Sequence, residues 1–113
     1  MALIYKICER ALWREAERAG AFRGAPIDER DGYIHFSAAD QVEETAAKYF
    51  ADQADLVLIA IEAAALGPAL RWEPARGGAL FPHLYGPLAL DAVRWVKELP
   101  LGPAGHVFPN LDR

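Results

Sequence analysis

The chain has 113 residues, of which 53% are hydrophobic and 25% are charged, and it carries a formal net charge of −4. This composition is typical of one globular domain and excludes a disordered or collagen-like chain. The modest negative charge argues against a surface that coats nucleic acid. The single cysteine, Cys8, excludes an intramolecular disulfide and a cysteine-rich zinc site.

Hydropathy along the chain bears on location and domain organisation. The apolar runs fall well short of the roughly 20 residues that span a bilayer. The apolar start is interrupted by the charge of Lys6, which argues against a signal peptide. We therefore predict a cytoplasmic protein that forms one domain over residues 1–113, with its core at about 3–99 and a surface tail at 100–113.

The first thirty residues predict a strand, a helix and a loop. Residues 3–7 predict a strand, with Leu3, Tyr5 and Ile7 on one face and Ile4 and Lys6 on the other. An apolar stripe at residues 9–19, closed by Gly20, predicts a helix. Residues 21–30 show no clear period and mix charges with glycine and proline, so we predict a loop there.

The stretch Asp-Gly-Tyr-Ile-His-Phe-Ser at residues 31–37 organises the centre of the chain. Asp-Gly indicates a turn, and the β-branched and aromatic residues after it predict a short strand. Because strand side chains alternate, Tyr33 and His35 share one face. We predict that Ser37 is the N-cap of a helix over residues 38–51.

The second half of the chain reads as short elements separated by glycine and proline. Continuous apolar residues indicate a strand that is covered on both faces, and two prolines within a mainly apolar stretch indicate a rigid, packed loop. The predicted elements are a covered strand at 56–61, a helical turn at 63–67, a short strand at 70–73, a rigid loop at 80–88 and a last strand at 93–97.

The His-x-Ser pair formed by His35 and Ser37 is the main candidate site. An imidazole and a hydroxyl on one strand face can hold a phosphate, a ribose or an amide. The alternative is structural: a histidine at the edge of the core and a serine that caps a helix. The spacing alone leaves both interpretations open.

Other chemistries fit the sequence less well. A two-histidine phosphoesterase needs a second His-x-Ser/Thr tripeptide, and the chain has His83-Leu-Tyr instead. A serine hydrolase needs a Gly-x-Ser-x-Gly motif, and this sequence does not contain one. A metal site would require His35, His83 and an acid such as Glu73 to converge through the fold.

Four stretches of the chain resemble a small bacterial family known as domain of unknown function 952. They lie at residues 4–7, 31–37, 56–58 and 81–88, and the last is long and unusual enough to be specific. The first strand of this family usually reads Ile-Tyr-His. Lys6 stands where that histidine belongs, so its contribution to the site differs from that in relatives.

The resemblance implies a fold and a ligand. The family looks like a reduced relative of the ADP-ribosyltransferase fold, nearest to the RNA 2′-phosphotransferase branch. This implies an α+β domain of two small, packed, mainly antiparallel sheets with flanking helices, whose cleft binds NAD, ADP-ribose or a related nucleotide without a metal. An ADP-ribosyl- or phosphotransferase activity is part of that expectation. The expected catalytic residues are His35, Ser37 and Glu73, and the expected ligand-binding residues are Lys6, Tyr33, His83 and Tyr85.

A second hypothesis comes from another functional class. The stretch 81–88 would be an exposed contact patch of a non-catalytic module that binds a protein partner. Burial of Phe81, Leu84 and Tyr85 favours the nucleotide-binding cleft, and full exposure of these side chains favours the interaction module.

Overall fold

The computed structural model describes residues 2–111, with the side chain of Arg76 excepted. Within that range the chain contains three α-helices, eleven strands and three short 3-10 segments. The helices are α1 (Arg10–Ala19), α2 (Pro26–Asp31) and α3 (Val42–Tyr49). The strands are β1 (Leu3–Glu9), β2 (Ala21–Phe22), β3 (Ile34–His35), β4 (Ser37–Ala38), β5 (Leu56–Glu62), β6 (Leu70–Pro74), β7 (Leu80–Leu84), β8 (Leu88–Ala89), β9 (Val93–Leu99), β10 (Leu101–Gly102) and β11 (Gly105–His106). The 3-10 segments are Ala63–Ala69, Arg76–Gly78 and Leu90–Ala92.

All the strands pair antiparallel. The largest sheet has the order β4-β1-β5-β9, and a second sheet has the order β3-β7-β6. Two further two-stranded sheets join β2 to β8 and β10 to β11. The predicted α+β class with small antiparallel sheets is thus confirmed.

The strand β5 runs through the middle of the core. All seven of its residues are buried, and both Leu58 and Ile59 have 0% exposure. Because side chains alternate along a strand, Ile59 packs in one apolar cluster and Leu58 in another. The predicted strand covered on both faces is confirmed.

Helices cover the two clusters from opposite sides. In the first cluster α1 contributes Trp13 and Ala16. In the second cluster α3 contributes Val42 and Ala46. The predicted helix at residues 9–19 is confirmed by α1, since helical spacing places its apolar residues on one face.

The predicted loop at residues 21–30 is wrong, because helix α2 begins at Pro26. Proline is favoured at the first helical position, where its fixed φ suits the helix and its missing N–H is not needed. Asp28 and Glu29 lie in the first turn, where the helix dipole stabilises acids. Gly32 ends the helix in the left-handed conformation with φ 87°.

Ser37 is a strand residue, and the prediction that it caps a helix is wrong. It pairs with Tyr5 of β1 in the four-stranded sheet. The helix α3 begins only at Val42, four residues after the predicted start. Pairing with β1 therefore overrides the local capping signal. β3 belongs to the three-stranded sheet and β4 to the four-stranded sheet, so the chain passes from one sheet to the other at Phe36.

The predicted loop at residues 80–88 is wrong as well, because its first half forms β7. The strand tolerates Pro82 because β3 has already ended opposite it. The carbonyl of Pro82 accepts the N–H of Phe36 at 3.0 Å. The expected packing is confirmed for residues 81–84 and for Leu88, which are buried, whereas residues 85–87 are exposed.

The last part of the chain packs against the outside of the second cluster. The hairpin of β10 and β11 lies between the last strand, β9, and the half-buried Phe108 and Leu111, which pack on the second cluster. None of residues 100–111 is fully buried, and residues 112 and 113 of the predicted surface tail lie outside the described residues.

Candidate functional site

A cavity of about 500 Å³ is bounded by β1, by the β3–β4 crossing, by β7 and by the helices α2 and α3. Of the seven predicted site residues, five line it: Lys6, Tyr33, His35, Ser37 and His83. The other two, Glu73 and Tyr85, are not part of its wall, and they contact His83 and Tyr33 from outside.

Strand pairing brings the two histidines together. His35 of β3 lies directly opposite His83 of β7, and their ring centroids are 5.6 Å apart. Directly opposed residues of an antiparallel pair point to the same face of the sheet. The sequence separates these histidines by 48 positions, so only the register of the two strands makes them neighbours.

An aromatic shelf forms around Tyr33. The ring of Tyr33 lies 4.7 Å from that of His35 and 4.1 Å from that of His83, centroid to centroid. Its centroid is also 5.2 Å from that of Tyr85. The predicted shared face of Tyr33 and His35 is confirmed by this contact.

A buried carboxylate, Asp28, connects two of the predicted residues. One of its oxygens lies 2.6 Å from Nδ1 of His35 and accepts the backbone N–H of His35 at 3.1 Å. The ammonium of Lys6 donates to both carboxylate oxygens, at 3.1 and 2.9 Å. The backbone N–H of Ala25 donates to Asp28 at 2.8 Å, the hydrogen bond of an acid in the first turn to the helix N-terminus.

Our sequence interpretation missed Asp28, since it assigned its segment to a loop. The usable signal was Ala-Pro followed by two acids, which is typical of a helix N-terminus. That signal would have located the helix, but not the contact with Lys6, which is 22 positions away.

Burial and charge act in opposite directions on the Lys6–Asp28 pair. Burial by itself raises the pKa of Asp28, but the hydrogen bond from His35 and the charge of Lys6 outweigh it, so the pKa falls to about 2. Burial lowers the pKa of Lys6, and the attraction of Asp28 opposes this change. The carboxylate of Asp28 is therefore held in its charged form, and its charge favours the ammonium form of Lys6.

Lys6 supports the site from below. Its ammonium also donates to the backbone carbonyl of His35 at 2.9 Å, so its three N–H bonds face three acceptors. The residue is only 6% exposed. Lys6 thus holds Asp28 and His35 in place, and its contact with a ligand phosphate stays a prediction.

A second carboxylate contacts the other nitrogen of His35. Nε2 of His35 lies 3.0 Å from Oδ2 of Asp31, at the end of α2. The ring of His35 can donate to Asp28 and to Asp31 at the same time only when both of its nitrogens carry a proton. Arg30 also contacts Asp31, at 3.0 Å, and lowers the pKa of this carboxyl through its hydrogen bond.

His83 has its own carboxylate partner. Nδ1 of His83 lies 2.8 Å from Oε1 of Glu73, and the hydroxyl of Tyr85 donates to the same oxygen at 2.8 Å. Both hydrogen bonds lower the pKa of Glu73, and the one from His83 has the larger effect. The same contact with Glu73 raises the pKa of Tyr85. Glu73 thus orients His83 and does not face the ligand space. The guanidinium of Arg71 lies 5.1 Å from the centre of the Tyr85 ring.

The Ser37 hydroxyl faces the cavity beside Thr45, a residue that our sequence analysis did not select. The two hydroxyl oxygens are 2.9 Å apart, and the Thr45 hydroxyl also donates to the backbone carbonyl of Gln41 at 3.2 Å. At the rim, Ile27 and Tyr49 are 46% and 55% exposed, so apolar surface flanks the polar floor.

Residues 2–111 contain neither a metal-binding cluster nor a membrane-spanning helix. In that range no group of three or more His, Cys, Asp or Glu side chains is arranged to hold a metal ion. Nor does any helix in this part of the chain combine the length and the apolar character needed to cross a membrane.

These features define a class: a small α+β protein with a histidine-lined cavity bounded by two antiparallel sheets. Comparison with known proteins is consistent with this class. Residues 7–96 match the model of the family described as "Protein of unknown function (DUF952)", and the chain belongs to that family. The family resemblance noted in the sequence is thereby confirmed. A search of curated proteins finds no match.

Solved structures give the same fold. The crystal structure of protein CC0527 from the bacterium Caulobacter crescentus is 52% identical, covers 92% of this chain and 91% of its own chain, and has a TM-score of 0.89. The solution NMR structure of CC0527 is 52% identical, covers 94% of this chain and 91% of its own, and has a TM-score of 0.83.

Proposed function

We propose that the cavity binds a nucleotide-type ligand with phosphate groups, such as NAD or ADP-ribose. One observation carries the proposal: His35 and His83 lie side by side on the cavity wall, and a carboxylate contacts Nδ1 of each. A carboxylate accepts a hydrogen bond, so Nδ1 of each ring carries a proton. When a ring also carries a proton on Nε2, that N–H can donate to a ligand oxyanion, so two such rings at one wall suit an anionic group.

The surroundings of the histidines support a ligand that also carries rings. Tyr33 forms a shelf against both imidazoles, and Tyr49 is exposed at the rim. Aromatic faces stack on planar bases with little sequence preference. The hydroxyls of Ser37 and Thr45 lie in the same cavity and suit a ribose.

The order of elements supports a relationship to the ADP-ribosyltransferase fold. A first strand carries Lys6, a crossing carries His35 and Ser37, a helix follows, and an apolar strand then ends in Glu62. An ADP-ribosyl- or phosphotransferase activity at the cavity is the further part of the proposal. Fold alone does not give function, so that part needs its own assay. The cytoplasmic location stays a prediction from composition.

Burial argues against an interaction module built on residues 81–88. Phe81 and Leu84 are 6% and 2% exposed, and of the three side chains that distinguish the two hypotheses only Tyr85 reaches the surface. A docking patch needs accessible apolar side chains. The ligand cavity is therefore the better supported function.

Calorimetric titration with NAD, ADP-ribose and a 2′-phosphorylated nucleotide tests the proposal, with adenosine as a phosphate-free probe. We expect at least one phosphate-bearing ligand to bind at millimolar concentration or better and adenosine to bind more weakly. Replacing His35 by alanine should weaken binding at least ~10-fold, because a hydrogen bond to a charged group is lost. His106→Ala is the matched control, since His106 bonds the carbonyl of Gln53 and does not line the cavity. Failure of every phosphate ligand to bind the wild type would reject the proposal.

A further inference from the structure

The imidazole of His35 lies between two carboxylates of one short helix. Asp28 and Asp31 are three positions apart on α2, a spacing that brings side chains to the same side of a helix. Asp28 contacts Nδ1 and Asp31 contacts Nε2. The two acids differ in their burial and in the number of groups that hold them.

Asp28 is fixed in place. Its side chain is 1% exposed, and it accepts hydrogen bonds from Lys6, from His35 and from the backbone of Ala25. Moving it would leave the buried ammonium of Lys6 without a counter-charge, which is strongly unfavourable.

Asp31 is held far less tightly. Its side chain is 28% exposed, and its other described contact is the guanidinium of Arg30, which is itself 71% exposed. It is the last residue of α2, and Gly32 follows in the left-handed conformation. Asp31 lines the ligand cavity, whereas Asp28 does not.

We propose that Asp31 is a built-in occupant of the anion position on His35, which the phosphate of a ligand must displace. The inference rests on the proposed function and adds a regulation to that site. When the ring carries a proton on each nitrogen, Nε2 of His35 has one N–H to donate, and the Asp31 carboxylate and a ligand oxyanion compete for it. The two anions cannot both stay beside His35, because the carboxylate of Asp31 and the phosphate of the ligand repel each other. Asp28 stays in place throughout and keeps His35 oriented.

Removing Asp31 should therefore tighten binding of anionic ligands. The probes are ADP-ribose and inorganic phosphate at one fixed ionic strength, titrated into the wild type, Asp31→Ala and Asp31→Asn. We expect Asp31→Ala to bind about fivefold tighter, the equivalent of one half-exposed ion pair. Asp31→Asn keeps an oxygen that can accept from His35, so its gain should be smaller.

Glu29→Gln is the matched control, because it removes one negative charge from the same helix. Glu29 is exposed and does not line the ligand cavity. Its replacement should change affinity less than twofold, as expected for a screened charge. An equal gain in Glu29→Gln and Asp31→Ala would overturn the proposal, since the effect would then come from overall charge. Thermal unfolding of each variant checks that the fold is kept.

The outcomes separate this inference from the proposed function. If the wild type binds and Asp31→Ala binds equally or more weakly, Asp31 is not a competitor, while the ligand site stands. If Asp31→Ala binds a probe that the wild type does not bind, while the wild type binds another phosphate ligand, the inference is supported in its strongest form. If neither binds either probe, the inference is overturned, and if the other phosphate ligands fail as well the proposed function is rejected with it.

Discussion

At the scale of single residues, Asp28 decides the arrangement of the site. A buried charge is costly unless it is paired and hydrogen-bonded, and Asp28 satisfies this condition through Lys6, His35 and the start of α2. In relatives whose first strand carries histidine at position 6, as the family resemblance implies, this ammonium is missing. Lys6 provides the counter-charge of Asp28 beside a histidine that faces the ligand space.

The carboxylate of Asp28 should make stability sensitive to acid. Its pKa falls from 3.8 to about 2 on folding, so the unfolded chain binds more protons between these pH values. The stabilisation is complete above about pH 4 and is lost as the pH falls through 2. We expect it to amount to about 2 kcal/mol in the free energy of unfolding. Urea unfolding at a series of pH values between 5 and 2 measures this loss.

Two variants show whether the acid sensitivity comes from Asp28. Asp28→Asn has no charge to lose, so its unfolding free energy should be about 3–5 kcal/mol lower at pH 5 and should fall less steeply in acid. Glu29→Gln removes an exposed acid and should keep the wild-type slope. An unchanged slope in Asp28→Asn would show that other carboxylates cause the acid sensitivity.

At the scale of elements, the segment from β3 to β4 builds the site by changing sheets. Tyr33 and His35 face the cavity beside β7, and two residues later Ser37 pairs with β1 of the other sheet. The buried side chain of Phe36 lies at the crossing. One short stretch therefore contributes side chains to a cavity that both sheets border.

Because Ser37 lies in a strand, we can predict which of two substitutions at this position lowers the stability more. Ser37→Ala should cost about 1 kcal/mol, because the contact with the Thr45 hydroxyl is lost. Ser37→Gly should cost roughly 0.5–1 kcal/mol more, because glycine weakens a strand. A helix N-cap gives the reverse order, since glycine is tolerated there better than alanine. Denaturant unfolding of both variants distinguishes the two roles, and a more stable glycine variant would contradict the strand assignment.

At the scale of the whole molecule, β5 joins two apolar clusters into one folding unit. Its neighbours β1 and β9 pair with it over nearly its whole length, and helices pack on both faces of this sheet. The ligand cavity borders this sheet through Tyr5 and Ile7 of β1, which also pack in the second cluster. Loss of core packing should therefore affect global stability rather than the cavity alone.

Replacing Leu58 by alanine should be severe. Leu58 is 0% exposed, so the change leaves a cavity and should cost roughly 2–5 kcal/mol. Leu80→Ala is the matched control, since Leu80 is 51% exposed and the same change should cost less than about 1 kcal/mol. Chemical denaturation measures both values. Equal losses for the two variants would show that β5 is not the centre of the core.

Sequence alone determined the elements whose signal is local. The short apolar run of β1, the continuous apolar residues of β5 and the stripe of α1 each indicate burial, and the structure has these elements where we predicted them. The shared face of Tyr33 and His35 followed from the same period of two. His83 was selected from the family resemblance, and we only expected that it would lie close to His35.

Only the tertiary structure decided the pairings between distant segments. Ser37 became a strand residue because β1 offered backbone partners, and residues 80–84 became a strand because β3 and β6 flank them. Asp28 joined the site because α2 packs it against Lys6 and His35. Local composition reports burial and backbone preference, but hydrogen bonds and ion pairs across many residues depend on strand register and helix packing. These are set by the free energy of the whole fold, and no local pattern contains them.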